Sequence, residues 1–167
     1  RAQLMRVRPD LQFVDLRGNI QTRLSKIPDG GAIVMAVAAL EILDMTSNIS
    51  EVLDLDVAVP MVGQGSVAIE ARTDDTETRA ILALIDHAKS RRAVETERAF
   101  LAELGAGCSL PVGAHLSNDG VFRAFMANDD FSDSVQIVGS IGDSDDNRVV
   151  GITAAIECRT RLAKPIN

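Results

Sequence analysis

Nine consecutive apolar residues, Ala32 to Leu40 (AIVMAVAAL), follow the breaking sequence Pro28-Asp29-Gly30-Gly31 and offer no polar side chain to either face of a strand. A strand made of them must be covered on both sides, which predicts a helix-flanked parallel sheet. The preceding residues complete the unit. LQFVDL (11–16) reads as a strand, Asn19 as a helix N-cap, and IQTRLSKI (20–27) sets Ile20, Leu24 and Ile27 at helical spacing. The pattern is a βαβ unit, with Arg17 at the junction between first strand and helix and Arg23 further along that helix. Such junctions favour anions. Spacing alone leaves both arginines open to a second reading, as solvated surface charges.

Beyond a mixed helical region (40–55), VPMVGQGSVAIEAR (59–72) combines a glycine-flanked turn at Gly63-Gln64-Gly65 with the alternating strand pattern SVAIEA. DDTETRAILALIDHA (74–88) predicts a helix capped by Asp74 or Asp75, and RRAVETERAFLAEL (91–104) a second helix stopped by Gly105. The final third has the rhythm of an antiparallel sheet. PVGAHL and VFRAFMA flank Ser117-Asn118-Asp119-Gly120, a hairpin turn signal; SVQIVGSI is a third strand, and RVVGITAAIEC (148–158), after the acidic turn DSDDN, reads as a fourth. The two preceding helices would back this sheet.

The formal charge of −7, the absence of tryptophan and tyrosine, and only five phenylalanines argue against a nucleic-acid partner. No apolar run is long enough to span a bilayer and no secretory pattern opens the chain, so a soluble protein is expected. Arg1 in place of methionine reads as a chain already under way. Arginine outnumbers lysine fourteen to three, a bias that suits a ligand with many carboxylates and that genomic composition also produces.

Two cysteines do not make a disulfide framework or a metal site; a reducing compartment and no metal are expected. Cys158 sits in an apolar segment and reads as a small buried hydrophobe. Cys108, in ELGAGCSLPVG (103–113), differs, because Gly105, Ala106 and Gly107 remove bulk on one side while Pro111 stiffens the other. Neither histidine, His87 nor His115, is placed by the sequence as a base for a thiol nucleophile. A cysteine without a base suits permanent attachment better than turnover.

ERAFLAELGAGCSLPVG (97–113) closely resembles the signature of the porphobilinogen deaminase, or hydroxymethylbilane synthase, family, departing mildly at Ala106 and Leu110. LRGNIQTRLSKI, AIVMAVAAL and VPMVGQGSVAIEAR resemble further family blocks in the same order, so the likeness covers most of the chain, least clearly after Asp130. The resemblance implies a transferase of haem and related tetrapyrrole biosynthesis that joins four porphobilinogen molecules head to tail with release of ammonia. It implies a dipyrromethane cofactor held by a thioether to Cys108. Arg17 and Arg23 match family arginines that grip acetate and propionate arms of cofactor and substrate. Arg98 matches the signature arginine beside the cofactor, and Gln64 borders the cleft.

The implied architecture is α/β. Residues 1–59 would form part of a second, periplasmic-binding-protein-like domain, 60–87 a segment crossing back toward a first domain, and 88–167 an α+β domain carrying the cysteine. The family's catalytic aspartate belongs to that first domain, so no catalytic residue is assigned here, and Asp54, Asp56 and Glu70 match no motif. The last helix of the family plan is not evident in CRTRLAKPIN. A monomeric, cytoplasmic enzyme is expected, with porphobilinogen and the growing polypyrrole as partners, and the 167-residue chain by itself is expected to be inactive and prone to aggregate. The rival expectation is a non-catalytic module that binds a carboxylated ligand through the same arginines.

Overall fold

The computed structural model describes residues 1–105 and 110–163. Its helices are α1 (Ala2–Val7), α2 (Ile20–Leu24), α3 (Val37–Ile42), α4 (Thr76–Leu82), α5 (Ala88–Glu103) and α6 (Asn147–Leu162), with a 3₁₀ turn at Thr46–Asn48. Strands β1 (Val112–Leu116), β2 (Val121–Ala127) and β3 (Ser134–Ser140) form one antiparallel sheet in the order β1-β2-β3.

The sheet follows from local chemistry. Gly120 takes the left-handed backbone of the hairpin turn (φ 81), and Asp119 Oδ1 accepts from Ser117 Oγ at 2.7 Å, fixing the register that pairs Leu116 with Phe122. Along β2 the side chains alternate. Phe122 and Ala124 join Ala114, Leu116, Phe100, Ala154, Ala155 and Cys158 in the main core. Phe125 and Ala127 face the other way, onto Ala2 and Val59. Phe100 and Phe122 meet edge to face with ring centroids 6.4 Å apart, a favoured aromatic geometry.

The expected fourth strand is a helix. RVVGITAAIEC lies within α6, where Gly151, Ala154, Ala155 and Cys158 form a buried stripe. The acidic turn is its cap: Asp146 Oδ1 accepts from Arg148 N at 2.8 Å and Val149 N at 3.1 Å. α6 runs on to Leu162, so the first residues of CRTRLAKPIN, which showed no helix in the sequence, are helical. The helices that back the sheet are therefore α5 and α6, not α4 and α5.

Three further expected strands are not strands. LQFVDL and SVAIEA hold no regular structure, and AIVMAVAAL is irregular to Ala36 and then turns into α3. A strand exists only with a hydrogen-bonded neighbour, and these segments find none among the described residues. Val14, Val34, Val67 and Ile69 are correspondingly exposed. Expected caps are present elsewhere. Asn19 Oδ1 accepts from Thr22 N at 2.8 Å to start α2, and Asp75 Oδ1 accepts from Thr78 N at 3.0 Å to start α4.

Residues 54–63 are bound to the sheet unit at several points. Asp56 Oδ1 accepts from Arg123 Nε at 2.7 Å, and Pro60 O accepts from Ala114 N at 3.0 Å. The Gln3 amide brackets Val59, donating to its carbonyl at 2.9 Å and accepting from its N–H at 2.6 Å.

Candidate functional site

The segment carrying Cys108 is bounded by well-defined neighbours, although Ala106–Ser109 themselves lie outside the described residues. On one side α5 ends at Gly105, whose φ of 65 is the left-handed stop expected from the sequence. On the other, Pro111 O accepts from Ala127 N at 3.0 Å and delivers the chain into β1. In the chain, Cys108 thus falls between the end of α5 and the first strand of the sheet. Arg98 projects from α5, exposed and without a hydrogen bond among the described residues.

Arg17 and Arg23 share one loop-and-helix corner. Gly18 between them has φ 136, and a Cβ there would lie 2.8 Å from the Thr22 methyl group, so the turn requires glycine. Arg23 Nε donates to Gly18 O at 2.8 Å, and Lys26 Nζ donates to Arg17 O at 3.3 Å. Both guanidinium groups remain exposed, with donors available for bidentate binding of carboxylates. Arg1 is different: its guanidinium reaches Asp15 at 3.5 Å and lies over Phe13.

Gln64 is exposed in the turn between Gly63 (φ 71) and Gly65 (φ 82). That turn is joined to α5 because Gly63 N donates to Glu97 Oε2 at 2.7 Å. Gln64 and Arg98 each follow directly in sequence on one partner of that bond, and both are exposed. Among the described residues no hydrogen bond or ion pair joins them to the Arg17–Arg23 corner.

Glu97 is the residue that sequence reasoning passed over. The residue is 4% exposed, and its carboxylate accepts a second bond from Leu116 N at 3.0 Å and lies 3.5 Å from His115 Nδ1. The signal was present: an acid on the same helical face as Ala93 and Phe100 has no solvent to enter and must be bonded internally.

Cys158 is fully buried in the core, as expected from its apolar segment. Burial, aided by the charge of Glu157, pushes its thiol up to about 11, so it stays protonated and unreactive near neutrality. The folded value exceeds the unfolded one near 9.0, so the folded state favours the neutral thiol. Stability is full below that unfolded value and is lost as pH rises through the window toward about 11. Urea melts taken across this range are expected to show a loss of about 1.4 kcal/mol per pH unit that Cys158→Ala removes. An unchanged slope in that variant would contradict the assignment. Among the described residues no cluster of histidine, cysteine or acidic side chains could hold a metal ion.

Comparison with known proteins gives two family matches along the chain. The model described as "Porphobilinogen deaminase, dipyromethane cofactor binding domain" matches residues 1–80, and "Porphobilinogen deaminase, C-terminal domain" matches residues 91–160. A porphobilinogen deaminase of Roseiflexus sp. (strain RS-1) is 50% identical over 121 residues, 70% of this chain and 40% of the relative. One from Trichlorobacter lovleyi is 36% identical over 170 residues, covering 97% of this chain and 51% of the relative. A probable porphobilinogen deaminase of Methanopyrus kandleri is 47% identical over 118 residues, 70% of this chain and 40% of the relative. The chain spans about half the length, or less, of these relatives. With both family models in their order along it and close identity to these relatives, the chain belongs to the porphobilinogen deaminase family.

Proposed function

We propose that this chain is the cofactor-bearing part of a hydroxymethylbilane synthase, which condenses four porphobilinogen molecules head to tail and releases ammonia at each step. The observation that carries the reading is the signature 97–113, in which the end of α5 leads through a short cysteine-bearing segment to the first strand of a sheet. The residues fit a dipyrromethane in their chemistry, since a group with acetate and propionate arms needs cationic bidentate donors. Arg17, Arg23 and Arg98 present such donors to solvent. Arg17 and Arg23 would also hold the arms of incoming substrate, and Gln64 would line the cleft. Once bound, the cofactor supplies the pyrrole terminus from which the chain is extended.

The protein's part in this scheme is binding and orientation. Guanidinium pairs neutralise acid arms without forming permanent bonds, so the growing polypyrrole can be gripped and released as it lengthens. The carboxylate that stabilises positive charge on the pyrrole and handles protons is assigned to a domain outside residues 1–167. In this reading residues 1–59 belong to a periplasmic-binding-protein-like domain, 60–87 cross toward the domain holding that carboxylate, and 88–167 form the cysteine-bearing unit. The enzyme acts as a monomer in the cytoplasm or an equivalent organellar compartment. The comparisons lend no support to the non-catalytic alternative.

The test joins this chain to the N-terminal portion of the Roseiflexus sp. relative. The completed protein is expected to carry the mass of two pyrrole units, to colour with acidic dimethylaminobenzaldehyde and to form bilane from porphobilinogen. The 167-residue chain alone is expected to form none. A completed protein without bound pyrrole would end the proposal.

A further inference from the structure

The bonds that tie residues 54–63 to the sheet unit stop abruptly. Asp56, Val59, Pro60 and Gly63 are each bonded to α1, the sheet or α5. From Gln64 to His87, every hydrogen bond among the described residues is made within the segment, back to Met61 and Gly63 of the turn, or to the first turns of α5. The last tie to the sheet unit is therefore Gly63 N to Glu97, at the first of two glycines with left-handed backbone. A carboxylate with one oxygen on Gly63 N and the other on Leu116 N fixes three elements at once: the turn, α5 and β1. Removing it would leave two N–H groups without their anionic acceptor.

We infer that Glu97 is a positioning residue: it pins the pivot at Gly63, and so sets where Gln64 and the segment beyond stand relative to the helix that leads into the Cys108 loop. Its functional consequence rests on the proposed enzyme reading; its structural consequence does not. Neighbouring charges are assigned separately. Arg98 points to solvent for the ligand, while Glu97 points inward for the pivot.

Amide hydrogen exchange on the 167-residue chain tests the structural part. Glu97→Gln keeps the shape but can accept well from only one of the two N–H groups, and is expected to speed exchange at Gly63 or Leu116 about tenfold or more. Amides along the buried face of α6, such as Ala154 and Ala155, should hold their protection. Glu97→Asp, which keeps the charge and loses one methylene of reach, should release the same amides. Unchanged exchange at both amides, uniform loss across the domain, or failure of both variants to fold would each overturn the inference.

In the completed protein, Glu97→Gln is expected to raise KM for porphobilinogen about tenfold while pyrrole attachment, read by mass, is retained. An unaltered KM in a protein that does carry pyrrole would also overturn it. If the completed parent carries no pyrrole, the enzyme reading fails instead, and the exchange result stands by itself.

Discussion

Gly151→Ala is expected to lower the stability of the α5–α6–sheet unit by about 2 kcal/mol or more, although alanine is the better helix former. The reason lies in how closely the helices approach. A Cβ at position 151 would stand 2.7 Å from Phe100 N, 2.8 Å from Ala99 Cβ and closer still to Thr96 O. Two of those atoms are backbone, so no side-chain rotation relieves the overlap and α6 must move away from α5. That movement opens the packing around Phe100, Ala155 and Cys158, all 0% exposed. The intrinsic gain of alanine over glycine in a helix, about 1 kcal/mol, offsets only part of an overpacking cost of roughly 3 kcal/mol or more. Gly151→Val should be worse, since its branch adds bulk on the same contact. Gly139→Ala is the control: a Cβ there meets nothing within 4 Å, and urea melts should place it within about 0.5 kcal/mol of the parent. A Gly151→Ala melt coinciding with the parent would refute the close-contact argument.

The same glycine shows where sequence reading succeeds and fails. The hairpin is legible because Asp119-Gly120 dictates a turn at one place only, and α5 because its apolar spacing ends at a glycine that must be left-handed. Gly151, set in VVGITAAI, misleads because valines, isoleucine and a central glycine suit an edge strand as well as a tightly packed helix. The acidic residues just ahead carry the deciding signal, since Asp146 caps the helix that begins at Asn147. In the first half, LQFVDL and SVAIEA are apolar patterns without being formed strands. The composition of a strand is local, but its hydrogen-bonding partner is not. Arg17, Arg23, Arg98 and Gln64 come from family resemblance, and no spacing rule separates them from solvated charges. Glu97 is hidden for a related reason: the signature places it next to Arg98, yet the helix turns the two side chains to opposite environments.

Cys108→Ser in the completed protein is expected to abolish bilane formation and to leave the mass without the pyrrole increment. A thioether requires a nucleophile that ionises readily. A serine hydroxyl ionises far less readily than a thiol and has no base assigned to help it. Nor can the second sulfur substitute. Cys158 has 0% exposure, and its thiol is pushed up to about 11, so it is both enclosed and protonated at neutral pH. The paired variant Cys158→Ser should therefore keep the pyrrole increment. It should instead lose about 1–3 kcal/mol of stability, because a hydroxyl replaces a thiol in an apolar core. Thiol labelling mapped to this chain's two cysteines separates the states further: in the native parent with its cofactor neither should react, and denaturation should release Cys158 but not Cys108. Attachment surviving Cys108→Ser, or lost on Cys158→Ser while the fold persists, would move the anchor away from the signature loop and leave the arginine corner without the ligand proposed for it.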